Sequence, residues 1–82
     1  MKNEGATYKT VTLEEAANIM TYALSHWKII YHYNRVPERA ELDLKNPENE
    51  DVMEIHFNKD MLEQITIYTD EDIVVYYVEV KK

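Results

Sequence analysis

Residues 12–33 read TLEEAANIMTYALSHWKIIYHY, and this stretch decides the fold that the sequence predicts. Thr12 is suited to cap a helix because its hydroxyl oxygen can accept a free backbone N–H, and Glu15 completes a capping-box pattern. Apolar residues then recur at helical spacing within a stripe about 100° wide. They are Leu13, Ala16, Ala17, Met20, Ala23, Leu24, Trp27 and Tyr31. We therefore predict an amphipathic helix from Leu13 to about Tyr33, with the stripe in the interior.

The second half of this stretch also fits a strand. Residues 27–33 are rich in β-branched and aromatic side chains, and a strand would place the odd-numbered ones on one face. We prefer the helix because neither Ser25 nor His26 is a stop signal, and no glycine or proline follows until Pro37.

Further along the chain, apolar and polar residues alternate with the period of two that is typical of strands. The predicted strands are residues 40–44, 52–57, 62–68 and 73–80, and residues 7–11 are a further short candidate. The residues predicted to face the core are Met53, Ile55, Phe57, Ile65 and Ile67. Turn-forming residues separate the segments, so together they predict an antiparallel meander.

The inner face of this sheet needs a cover, and the helical stripe is the only long apolar surface available. We therefore predict an α+β fold with one long amphipathic helix packed on a four- to five-stranded, mainly antiparallel sheet, as a two-layer sandwich. At 82 residues the chain is expected to form one domain over residues 1–82, with residues 1–6 as a disordered tail.

Composition narrows the classes of function. A net charge of −7 disfavours direct binding to nucleic acid. The absence of cysteine excludes disulfides and thiolate zinc sites, and suits a cytoplasmic location. No segment approaches the roughly 20 apolar residues of a membrane span. We expect a cytoplasmic protein that binds neither membranes nor nucleic acid.

The usual catalytic motifs are missing. Gly5 is the only glycine and does not lie between a strand and a helix, so no phosphate-binding loop can form. Ser25 is the only serine and lacks a nucleophile-elbow context. His26 and His32 would point about 120° apart on a helix, which suits no shared metal. We predict no catalytic residue, no cofactor and no metal, and hence no enzyme.

One polar cluster is expected on the sheet. His56 shares a strand face with Glu54, and Glu41 and Asp43 are expected on a neighbouring strand. We interpret the cluster as cross-strand pairs on a solvated face. A small-ligand site or a minor enzyme around His56 and Glu54 is the alternative.

Two apolar surfaces exceed the needs of a small core. One is a second stripe on the predicted helix, roughly opposite the core face. The other is the last strand, which is apolar on both faces. With the acids of the polar cluster, they give the predicted partner-binding residues: Tyr22, His26, Ile29, Tyr33, Glu41, Asp43, Glu54, Ile73, Val75 and Tyr77.

These features favour a small acidic, non-catalytic binding module whose partner is another protein or a second copy of itself. In general character the chain is similar to the small inhibitors by which phages and mobile elements block host enzymes, a likeness of composition that covers no motif. A DNA-mimicking version is motivated by seven acids within residues 38–54. A simple homodimeric structural domain is the remaining alternative.

Overall fold

A computed structural model describes residues 5–35, 38–59 and 61–79. Its elements are β1 (Ala6–Val11), α1 (Leu13–His26), β2 (Lys28–Arg35), β3 (Arg39–Lys45), β4 (Val52–Asn58), β5 (Met61–Tyr68) and β6 (Ile73–Val78). The strands form one mixed sheet in the order β1-β6-β5-β4-β3-β2. Strands β2 to β6 make the antiparallel meander, and β1 joins β6 in parallel.

The start of the helix is confirmed. The Thr12 hydroxyl accepts a hydrogen bond from the backbone N–H of Glu15 at 3.1 Å, and the Glu15 carboxylate accepts one from the backbone N–H of Thr12 at 2.9 Å. Both bonds satisfy donors that the first helical turn leaves free. A cap of this kind contributes about 1 kcal/mol to the free energy of unfolding.

The predicted end of the helix is wrong. α1 stops at His26, and Trp27 has an extended backbone (φ −107°, ψ 161°) while its N–H still donates to the Ala23 carbonyl at 2.7 Å. From Lys28 the chain continues as β2. The β-branched and aromatic residues beyond Trp27 lose side-chain freedom in a helix, and pairing with β3 favours the extended form.

The early end of the helix changes which residues are interior. Ala16 and Ala23 are buried, and the core-facing stripe continues through three half-buried residues: Ile19, Met20 and Trp27. Leu13, Leu24 and Tyr31 were expected inside but are each about half exposed. Tyr31 lies on β2 and belongs to no helical stripe.

The second helical stripe does not exist as one surface. Tyr22 and His26 remain on α1, where their rings stack at 4.3 Å and Nδ1 of His26 lies 2.9 Å from the Tyr22 carbonyl oxygen. Ile29 and Tyr33 lie on β2 instead. The predicted partner-binding surface on the helix therefore loses half of its residues.

The strand predictions around residues 40–44, 52–57 and 62–68 are confirmed, whereas the last strand, predicted over residues 73–80, ends at Val78. Met53, Ile55 and Ile65 are buried, and Phe57 and Ile67 pack against them. The buried cluster that joins α1 to the sheet consists of Ala16, Ala23, Leu44, Met53, Ile55, Leu62 and Ile65. This shared core puts the helix on one face of the sheet.

The sheet has six strands where four to five were predicted, because residues 28–35 pair with β3 and residues 6–11 pair with β6. The parallel pairing sets Ala6 opposite Ile73, so strand structure extends into the predicted tail. Residues 1–4 of that tail, residues 36 and 37 of the predicted connection and Val80 of the predicted last strand lie outside the described residues. No helix in the described ranges is long and apolar enough to cross a membrane.

Candidate functional site

The face of the sheet opposite α1, termed here the helix-free face, gathers most of the polar and aromatic side chains of interest. Cross-strand partners share a face, so the strand register places these side chains in rows. One row across the sheet is Tyr31, Asp43, Glu54, Thr66, Val75 and Tyr8. The next row is Tyr33, Glu41, His56, Gln64, Tyr77 and Thr10.

At the centre of this face His56 lies between two carboxylates. Its Nε2 atom is 3.2 Å from Oε1 of Glu54, and its Nδ1 atom is 3.8 Å from Oε1 of Glu41. The three side chains are half-buried, with 20% of His56 and 27% of each glutamate exposed. The expected adjacency of β3 and β4 is therefore confirmed.

Asp43 completes the acidic cluster, which we define as Glu41, Asp43, Glu54 and His56. Burial, followed by a hydrogen bond with Glu41 and the charge of Glu41, raises the pKa of Asp43 to about 6, and the charge of His56 opposes this. Its Oδ1 atom is buried and has no hydrogen-bond partner among the described residues. Two carboxyl groups this close share a proton more readily than they both ionise.

The environment of the cluster is partly dry. Burial, together with the nearby charge of Glu54, raises the pKa of the Tyr68 phenol above its ordinary value. The side-chain amide of Gln64 donates to the Thr66 hydroxyl at 2.9 Å. Thr66 is only 4% exposed and Val75 only 6%, although no described helix covers this face.

Aromatic residues lie on both sides of the acidic cluster. On β1 and β6 the rings of Tyr8 and Tyr77 stack with centroids 6.1 Å apart and planes within 10° of parallel. On β2, Tyr31 and Tyr33 are exposed. The helix-free face is therefore an acidic centre between two aromatic margins.

Seven of the ten predicted partner-binding residues share this face: Tyr33, Glu41, Asp43, Glu54, Ile73, Val75 and Tyr77. Tyr22 and His26 are on the outer side of α1, and the register places Ile29 opposite Leu44 on the helix side of the sheet. The prediction did not include Tyr8, Tyr31 or Tyr68. Had residues 28–35 been predicted as a strand, the period of two would have placed Tyr31 on the same face as Tyr33.

A cavity lies away from this face. Its volume is about 510 Å³, and it is lined by Leu13, Asn58, Met61, Leu62, Glu63, Val78 and Glu79. None of these residues belongs to the acidic cluster, and the lining is mostly apolar. Because Glu41, Glu54 and His56 converge on the helix-free face, we place the candidate site there.

The cluster offers chemistry for cations. Glu41, Glu54 and His56 can each present one ligand atom, and these atoms lie within 4.8 Å of one another. A divalent metal accepts such oxygen and imidazole donors. A guanidinium or an ammonium group would instead donate charge-assisted hydrogen bonds to the carboxylates.

The chemistry of this face has to be judged from its own geometry, because no protein-family model, no curated protein and no solved structure matches the chain.

Proposed function

We propose that this chain is a small acidic protein-binding module whose helix-free face receives a basic side chain of a partner protein. The observation that carries the proposal is a half-buried group of three carboxylates, Glu41, Asp43 and Glu54. Among the described side chains, Glu41 and Glu54 form ion pairs with one imidazole, that of His56. A partner's arginine or lysine would supply the missing positive charge.

The surroundings of the cluster support such an interface. Tyrosine is enriched at the centres of protein interfaces, where it contributes large contact areas at little cost in entropy. Tyr31 and Tyr33 on one margin and Tyr8 and Tyr77 on the other would exclude water from a basic side chain in the cluster. Truncating one partner of a buried, hydrogen-bonded charge pair costs about 2–5 kcal/mol, whereas changing a charge at the rim mainly alters the association rate.

A second copy of the chain is a poor occupant of this face. Two helix-free faces packed about a twofold axis through the cluster would bring Glu41, Asp43 and Glu54 against the same three acids of the copy. Like charges brought together in a desolvated interface cost several kcal/mol. The proposal therefore commits to a different protein as partner.

The proposal includes two narrower expectations, inhibition of a host enzyme, as by phage proteins, and a cytoplasmic location. Both rest on composition alone. Imitation of DNA requires carboxylates spread along a surface at phosphate-like spacing, whereas Glu41 and Glu54 both lie against His56. The compact cluster favours one inserted cation over a long imitation of a phosphate backbone.

The test is capture of partner proteins from a bacterial lysate on immobilised protein. The double variant Glu41→Gln/Glu54→Gln removes two charges of the cluster. Its control, Glu48→Gln/Glu71→Gln, removes the same charge from exposed turn residues. A partner that crosslinks to the helix-free face should bind the cluster variant at least about tenfold more weakly, which corresponds to 1.4 kcal/mol.

The control variant should retain that partner in full. If both variants lost the same amount of partner binding, the effect would come from net charge alone, which would contradict the proposal. The proposal would also be contradicted if the immobilised protein captured no partner from the lysate and light scattering showed the protein to be monomeric.

A small-cation site is the second candidate, and the specific observation in its favour is the convergence of ligand atoms from Glu41, Glu54 and His56. Calorimetric titration with Zn²⁺ and with methylguanidinium tests it directly. Binding of either probe that disappears in Glu41→Gln/Glu54→Gln would favour this candidate. If neither probe gave a heat of binding, the protein-binding proposal would remain the better one.

A further inference from the structure

Within residues 5–35, 38–59 and 61–79, strand β2 forms one edge of the sheet and pairs with β3 alone. It is eight residues long, and Ile29, Ile30, Tyr31 and Tyr33 each expose between 39% and 51% of their surface. An edge strand presents unpaired backbone N–H and C=O groups that can accept another strand. The register shifts between Ile29 and Tyr31, a kind of irregularity that limits edge pairing, and it is regular from Tyr31 onward.

The charge of this edge is opposite to that of the rest of the chain. β2 contains Lys28, His32 and Arg35 and no acid, although the chain carries sixteen acids and a net charge of −7. The register sets Lys28 opposite Lys45, so a basic pair stands at the start of β2. Like charges directly opposite each other destabilise a sheet, and an acidic ligand would relieve that repulsion.

A second copy of the chain cannot supply this acid at its own edges. The other edge strand, β1, contains Lys9 and no acid, so pairing β2 with either β1 or β2 of a copy adds bases to bases. The complementary occupant is an extended segment in which acidic and apolar residues alternate. β3 already has that composition on the inner side of β2, with Leu42 and Glu41 opposite His32 and Tyr33.

We propose that β2 is a docking edge for an extended acidic and apolar segment of a partner protein, which adds to the sheet as a seventh strand. Main-chain hydrogen bonds would provide affinity, and the basic pair of Lys28 and Lys45 would select acidic segments. The inference extends the proposed function, since it gives a protein-binding chain a second contact, but it uses residues outside the acidic cluster.

The test is an amide NMR titration with a synthetic peptide in which valine and threonine alternate with glutamate. Shift changes should concentrate at residues 28–33, and those amides should gain protection from hydrogen exchange. A peptide with lysine in place of glutamate should fail to bind at about 1 mM, since the same strand then carries the wrong charge. Methylation of alternate peptide nitrogens should abolish binding, because it removes ladder hydrogen bonds.

Lys28→Glu should weaken binding of the acidic peptide by about fivefold to tenfold. Lys9→Glu, on the other edge of the sheet, should leave the affinity unchanged. Equal binding of the lysine peptide, shift changes that map to β1 or α1, or no binding at about 1 mM would overturn the inference. So would a concentration-dependent dimer whose amides of residues 28–33 are protected. The variant Glu41→Gln/Glu54→Gln should still bind the peptide, so failure of either proposal is recognised separately.

Discussion

His56 and Glu54 lie two residues apart on β4, with Nε2 of His56 3.2 Å from Oε1 of Glu54. The contact is local to one strand because alternate residues point to the same side. The third member, Glu41, comes from β3 and is 3.8 Å from Nδ1 of His56. A slip of one residue between β3 and β4 would turn one strand over and separate Glu41 from His56, so the site depends on the register that the hydrophobic core fixes.

Replacing His56 by glutamine should raise the pKa of Asp43 above about 6, because the charge of His56 is the influence that lowers it. Carbon-13 NMR titration of the aspartate carboxyl groups measures the change. The control is His32→Gln on the exposed edge strand, which should leave the pKa of Asp43 where it was. An unchanged Asp43 titration in His56→Gln would show that the imidazole carries no charge in this cluster.

Asp43→Asn should stabilise the fold above pH 6. The folded state raises the pKa of Asp43 from 3.8 to about 6, so its proton is held more tightly than in the unfolded chain. The stability that this proton provides is complete below about pH 3.8 and is lost as the pH rises through 6. Asparagine removes that loss, and we expect a gain on the order of 1 kcal/mol at pH 7.

Urea denaturation at several pH values checks this expectation. The wild type should lose stability between pH 3.8 and 6 relative to Asp43→Asn, and the exposed turn variant Asp70→Asn should follow the wild type. Parallel curves for wild type and Asp43→Asn across that range would contradict the linkage.

Ile55→Ala should cost about 2–5 kcal/mol, because the side chain is fully buried beneath α1 and leaves a cavity when truncated. Ile30→Ala removes the same atoms from a side chain that is 49% exposed on the edge strand, and should cost under about 1 kcal/mol. Urea unfolding followed by circular dichroism measures both. Similar losses in the two variants would contradict the assignment of residue 30 to an exposed strand.

Thr12→Ala should reduce the free energy of unfolding by about 1 kcal/mol, since it removes the acceptor of the Glu15 N–H bond at the start of α1. The control Thr21→Ala lies at an exposed position inside the same helix and should be neutral or slightly stabilising. Thermal unfolding of both variants distinguishes the two signs. Equal effects would mean that the hydroxyl of Thr12 makes no contribution as a cap.

Sequence patterns were sufficient to predict the parts of the fold in which apolar residues recur with a single, unambiguous period. The strands around Leu44, Met53, Ile55 and Ile65 alternate cleanly, and their order as a meander follows from short turns. The helix start was also readable, because the capping box of Thr12 is a local motif. These elements need no information from distant parts of the chain.

The end of the helix could not be read in the same way. Trp27 and Tyr31 fit the helical stripe and also fit a strand, so the outcome depended on whether β3 was available to pair. The parallel addition of β1 to β6 is likewise a long-range choice that no local pattern records. The neighbours of the acidic cluster were partly predicted from strand alternation, whereas Tyr31 was assigned to the wrong element and therefore to the wrong surface.

The parallel pair of β1 and β6 also bears on how the chain folds. Ala6 meets Ile73 only after nearly the whole chain has been brought together, and closing so large a loop slows the search for native contacts. The neighbouring antiparallel hairpins close over short distances and should form first. We therefore expect β1 to dock last during refolding, so that the outer side of β6 is transiently open to intermolecular association until it does.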